Sequence, residues 1–169
     1  ETAMIKLENS TILGDCLFVG DSIQMDLTTS DIEGVYIEGE APGLEANSSV
    51  LHKVDMAYSQ SSISLNSSFI SDETGNGVYM GSESTFTSYN SSISGCGGSA
   101  ITVGPNSVVD LDYSYITNNG GVEESWNTVR LYSSSADAYS DENPSLPGFT
   151  GMLATLSLLG AAFIRRQEA

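Results

Sequence analysis

"ISLNSSFIS" (63–71) repeats the plan of "LEANSSVLH" (44–52), which begins 19 residues earlier. Each starts apolar, carries Asn-Ser-Ser at its fourth to sixth positions and is apolar again at the eighth. The frame Ile63, Leu65, Ser68, Ile70 recurs as Ile5, Leu7, Ser10, Ile12 and as Met25, Leu27, Ser30, Ile32. It recurs further as Leu44, Ala46, Ser49, Leu51, as Phe86, Ser88, Ser91, Ile93 and as Val109, Leu111, Ser114, Ile116. A seventh start, Val129-x-Leu131, does not complete it. A second apolar pair precedes each following anchor: Leu17/Val19, Val35/Ile37, Val54/Met56, Val78/Met80 and Ile101/Val103. An apolar spacing of two, with Ser, Gly and Asn in the gaps, is the period of half-buried strands and disfavours helix.

A unit of about 20 residues with three short strands cannot bury its own apolar face. Stacking units one strand spacing apart, about 4.8 Å, does so. The spacing therefore predicts an all-β chain: a right-handed parallel β-helix of about six coils. The anchors predict two inward ladders, Ile5–Met25–Leu44–Ile63–Phe86–Val109 and Ile12–Ile32–Leu51–Ile70–Ile93–Ile116. The serine column sits on the same inward face, beside a corner, where a hydroxyl can bond a turn carbonyl. An antiparallel sandwich is the competing architecture, but it predicts variable strand spacing and no constant column. Cys16 and Cys96 fall in turns of the first and fifth units, about 19 Å apart along the stack. That is beyond disulfide reach, so both thiols are expected unpaired.

The repeats "ISLNSSFISDETGNGVYM" (63–80) and "FTSYNSSISGCGGSAITV" (86–103) resemble the right-handed β-helix repeats of carbohydrate-binding, pectate-lyase-like and NosD-like periplasmic proteins. The resemblance covers about 130 residues. It implies architecture and leaves function open, because that superfold hosts lyases, hydrolases, adhesins and spacers alike.

The formal charge is −17, from 22 acidic and 5 basic residues. Scattered Lys and Arg exclude a nucleic-acid partner, which needs a basic patch. A disordered acidic chain is disfavoured by the 40% apolar content and its regular spacing. The organisation expected is a β-helix over 1–131, an acidic Ser-rich linker over 132–146 and a terminal segment over 147–169. No signal segment follows Glu1, and the first frame opens in register at Ile5 without a cap, so further coils are expected upstream.

The terminal segment holds Pro147-Gly148-Phe149, an apolar stretch expected to be a hydrophobic helix, and then Arg165 and Arg166. From Phe149 to Ile164 such a helix would be about 24 Å long, short of a bilayer core of about 30 Å. The three parts together look like the archaeal PGF-CTERM signal. That resemblance implies an archaeosortase that cleaves near the tripeptide, a membrane lipid anchor and an address on the extracellular side of the cell surface. Removing 147–169 leaves 3 basic and 21 acidic residues, a charge of −18. This address gives meaning to the N-glycosylation sequons at Asn9, Asn47, Asn66 and Asn90, each three or four places after its anchor.

Chemistry is harder to find. The outward row is Lys6, Asp26, Glu45, Ser64, Thr87, Asp110, in which Asp26 and Glu45 are weak candidates for a cation site. A solvated acidic face is the preferred reading, and no metal or cofactor is expected. His52, the sole histidine, has Glu33 and Ser71 as predicted rung neighbours, but on flat strand ends without a nucleophile elbow. No catalytic residue is assigned. Trp126 and Arg130 belong to a closing segment, with Trp126 expected to cover the last rung. The reading is a non-catalytic surface glycoprotein, adhesive or structural, whose partners include surface polysaccharide or other surface proteins. The alternatives are the C-terminal part of a polysaccharide-active enzyme, or a carbohydrate-binding module, against which counts the lack of an outward aromatic row.

Overall fold

A computed structural model describes residues 2–72, 74–117 and 119–120, together with the backbone of strands at 128–132 and 135–136. The first coil is built from β1 (Ala3–Glu8) and β2 (Thr11–Val19), the second from β3 (Ile23–Thr28) and β4 (Asp31–Glu38). The third holds β5 (Gly43–Asn47), β6 (Val50–Leu51) and β7 (Val54–Met56). The fourth holds β8 (Ser62–Asn66), β9 (Phe69–Ile70) and β10 (Val78–Met80), and the fifth β11 (Thr85–Tyr89), β12 (Ser92–Ser94) and β13 (Ile101–Val103). β14 (Val108–Asp112) and β15 (Tyr115–Thr117) form the sixth, followed by β16 (Thr128–Tyr132) and β17 (Ser135–Ala136). Every described pairing is parallel, and the described residues contain no helix. The described residues form an all-β parallel solenoid of about six turns.

Both ladders form in the expected register. Ile5 pairs with Met25, Met25 with Leu44, Leu44 with Ile63, Ile63 with Phe86 and Phe86 with Val109. Ile12, Ile32, Leu51, Ile70, Ile93 and Ile116 pair in the same succession. These side chains fill one continuous core, fully buried from the second coil onward and partly exposed in the first. The terminal hydrophobic helix and the linker expected from sequence lie outside the described residues.

The first coil corrects the expected phase. Leu17 and Val19 point outward, 60% and 70% exposed, while Cys16 and Phe18 pack inward. In the next two coils three residues carry the chain from Ile32 to Val35 and from Leu51 to Val54, so the alternation slips by one at that corner. The first coil has one residue more there, at a bulge that includes Gly14 with φ of 105°. Alternation then continues unbroken from Ile12 to Phe18. Cys16 accordingly lies in a strand, not in a turn as expected, and neither cysteine forms a disulfide.

The serine column is a hydrogen-bonded spine. The N–H of Ser30, Ser49, Ser68 and Ser91 donates to the hydroxyl of Ser49, Ser68, Ser91 and Ser114 respectively, at 3.0–3.2 Å. Each of these hydroxyls donates in turn to the carbonyl two residues back, as from Ser49 to Asn47 at 2.9 Å and from Ser114 to Asp112 at 3.0 Å. The residue before each serine turns the corner in the left-handed region: Asn9, Thr29, Ser48, Ser67, Asn90 and Tyr113, with φ of 48–52°. A shorter second spine, Ser61–Ser84–Ser107, lies at the opposite end of the same sheet with hydrogen bonds of 3.1 and 3.0 Å. It too follows left-handed residues, Gln60, Glu83 and Asn106.

Candidate functional site

Two concavities and one edge of the outer surface gather the candidate residues. The first concavity lies on the seven-stranded sheet β1-β3-β5-β8-β11-β14-β16. The outward row forms as expected: Lys6, Asp26, Glu45, Ser64, Thr87 and Asp110 are neighbours in register. Gly43 has no side chain to fill the adjacent row, and Gln24 leans across the gap. The result is a shallow depression of about 350 Å³, bounded by Gln24, Asp26, Glu45, Ser62, Ser64 and Thr87 among others. Lys6 lies 3.0 Å from Glu8 and 3.9 Å from Asp26, and the hydrogen bond and charge of Glu8 raise its pKa. Asp26 Oδ1 is buried without a hydrogen-bond partner among the described residues. Asp26 and Glu45 are thus adjacent, but no group of three His, Cys, Asp or Glu that could hold a metal occurs among the described residues.

The second concavity comes from a change in unit length. In the fourth coil residues 71–77 replace the tight corner used above, and in the fifth 94–100 do the same. The two loops stack through Gly97 N–H on the Asp72 carbonyl and Gly98 N–H on the Gly75 carbonyl, at 2.8 and 2.9 Å. They make a step beside the short corners, and a groove of about 600 Å³ opens at its foot. His52, Glu33 and Ser71 all line this groove. They are not joined as a relay: His52 Nε2 is 3.6 Å from Asp31 Oδ1, while the Glu33 carboxylate accepts the Gly14 N–H. Gly34 makes room for the Asp15 carboxylate, which occupies the space a Cβ would need. Lys53 lies 5.1 Å from the centroid of the Tyr36 ring. Its pKa is raised first by its hydrogen bond with Tyr36 and, more weakly, by Asp72 and Asp55. Burial resists ionisation of Asp72, yet hydrogen bonds from Thr74 and Gly75 and the charge of Lys53 outweigh it and hold its pKa below the ordinary value. The sequence signal for this groove is the change of interval from 19 to 23 residues.

The edge is the corner between the two sheets. Asn9 and Asn90 occupy its left-handed turn positions; Asn47 and Asn66 stand one place earlier, paired with each other at the strand ends. All but the half-buried Asn47 are exposed. At the lower end of this edge Tyr89, Tyr113 and Tyr115 are also exposed, Tyr89 and Tyr113 edge-to-face with centroids 6.0 Å apart. These three come from different columns, so no aromatic row forms along one column; they gather instead across neighbouring slots at the corner. Pro147, Gly148, Phe149, Arg165, Arg166, Trp126 and the side chain of Arg130 lie outside the described residues. Comparison with family models, with curated proteins and with solved structures gives no match to this chain.

Proposed function

We propose that the chain is a non-catalytic cell-surface glycoprotein whose parallel β-solenoid, read as right-handed and pectate-lyase-like, serves as an adhesive or structural rod. The observation that carries the reading is the sequon edge: all four sequon asparagines fall on one corner of the coil, three of them exposed and Asn47 half-buried. Glycans there would project sideways without entering the core or the ladders. The tail supports the same address through its likeness to the archaeal PGF-CTERM signal, with an archaeosortase as processing partner and a lipid as anchor. Surface polysaccharide or other surface proteins are the partners that such a rod would meet.

The test is expression of the full chain in an archaeal host that has an archaeosortase. Mass spectrometry should find the chain cut near Pro147-Gly148-Phe149, with the terminal apolar segment removed and the remainder in the membrane fraction. Unprocessed chain, or processed chain free of the membrane, would refute the anchor. A second reading, glycan binding without turnover, is favoured by the depression beside Gln24, Asp26, Glu45 and Ser64. A glycan array on the same protein separates it from a plain spacer, and a lyase assay addresses the enzymatic alternative.

A further inference from the structure

We infer that the register of the coil divides the four sequons into two classes. Asn9 and Asn90 accept a glycan on the folded protein, whereas Asn47 and Asn66 accept one only before their coils close. The inference rests on the surface-glycoprotein reading, since it needs a transferase that meets this chain.

N-glycosylation joins the asparagine side-chain nitrogen to the anomeric carbon of an oligosaccharide carried on a lipid phosphate. The bond from that carbon to the phosphate oxygen breaks, the lipid phosphate leaves with the electron pair, and one amide proton passes to a base of the transferase. The acceptor pattern also demands a Ser or Thr two places on, so the enzyme must reach that hydroxyl as well as the carboxamide. The middle residue is not read beyond the exclusion of proline.

In the first class the asparagine sits at the corner, with φ of 48° in both cases. The spine serine is then the unread middle residue, Ser10 or Ser91. The hydroxyl that must be reached is on Thr11, which is exposed, or Ser92, which is half-buried. Both residues alternate with inward isoleucines and so lie on the outer face.

In the second class the frame is displaced by one, and the hydroxyl that must be reached belongs to the spine. Ser49 is 2% exposed and Ser68 5%. The Ser49 hydroxyl accepts the Ser30 N–H at 3.1 Å and donates to the Asn47 carbonyl at 2.9 Å. The Ser68 hydroxyl accepts the Ser49 N–H at 3.1 Å and lies 2.9 Å from the Ala46 carbonyl and 3.0 Å from that of Asn66. A transferase could engage either only by opening the wall of the core. The amide of Asn47 donates to Glu45 Oε1 at 3.1 Å and that of Asn90 to Ser67 Oγ at 3.2 Å, so the depth of the second hydroxyl, and not the amide contact, separates the classes.

The experiment incubates the purified full chain with an oligosaccharyltransferase and a lipid-phosphate-linked oligosaccharide, and reads site occupancy by mass spectrometry. A companion full chain carrying Leu27→Asp and Leu65→Asp, at core positions 0% and 1% exposed, provides the unfolded substrate. On the folded chain, Asn9 and Asn90 should be modified at least tenfold faster than Asn47 and Asn66. On the unfolded chain all four rates should converge. Equal rates on the folded chain, or no modification of Asn9 and Asn90 there while the unfolded chain is modified, would overturn the inference. No addition to any site of the unfolded chain would instead remove the glycoprotein reading, and the inference with it. A folded double variant, Ser48→Asn with Val50→Thr, places an acceptor in the register of Asn9 and should gain modification at position 48; failure to gain it also counts against the inference.

Discussion

A serine hydroxyl in this solenoid performs two tasks at once, and that doubles the cost of losing it. Ser68 supplies the acceptor for the Ser49 N–H and a donor to the carbonyls of Ala46 and Asn66. Ser68→Ala removes both and leaves a buried amide unsatisfied, for which the cost is about 1–3 kcal/mol. The expected outcome is a lower urea midpoint with an unchanged slope; an unaltered midpoint would mean that the spine contributes nothing. The corner residue beside each serine carries the opposite lesson. Thr29 holds φ of 52°, a region in which a β-branched side chain is strained and asparagine is at home. It is exposed, and its N–H to the Asn47 carbonyl, 2.9 Å, does not involve the side chain. Thr29→Asn should therefore stabilise by about 1 kcal/mol, read as a raised melting temperature.

Strands and corners were unequally legible in the sequence. The anchors Ile5 to Val109 could be read because a side chain repeated at one slot must face one core, and registry follows from that constraint alone. Corners are set by backbone conformation, which the apolar pattern does not record. The bulge after Ile12 thus reversed the expected faces of Leu17 and Val19, although Cys16 and Phe18 offered the same spacing. The second spine is hard to read because, among the described residues, Ser61, Ser84 and Ser107 carry it, while the matching places above hold Ile23 and Pro42. The groove by His52 carries no motif for a related reason: it is made by loop length, which the sequence records only as an interval lengthened from 19 to 23 residues. Its wall makes a prediction of its own. Asp72 is held below the ordinary carboxylate pKa by Thr74, Gly75 and Lys53 despite the opposing effect of burial. Its contribution is therefore complete above the unfolded value, about 3.9, and is lost as pH falls through the lower folded value. Hydrogen-exchange protection in this loop, taken relative to the intrinsic rate at each pH, should fall over that acid range, and Asp72→Asn should make that protection insensitive to it. Protection that falls equally in both proteins would show that Asp72 does not hold the loop.

For the molecule as a whole, stacking has an electrostatic cost that the packing must offset. A solenoid brings residues of equal slot to one strand spacing, about 4.8 Å, and the chain carries a formal charge of −17. The crowding is densest in the second coil, where Asp21, Asp26, Asp31, Glu33, Glu38 and Glu40 fall within twenty residues. Asp26 is directly opposite Glu45, with only Lys6 on the other side to relieve it. Like charges opposed on neighbouring strands destabilise, and screening by salt should recover that loss. The melting temperature is expected to rise with added sodium chloride. Glu45→Lys places a cation between Asp26 and Ser64 and should stabilise by a few tenths to about 1 kcal/mol at low salt. Because it removes one of the repulsions that salt screens, the variant should also respond less steeply to salt than the parent. Parallel salt responses in the two proteins would show that the Asp26–Glu45 contact is already relieved by solvent. A melting temperature that falls with salt would show that paired charges such as Lys6 with Glu8, and not the acidic excess, govern the rod.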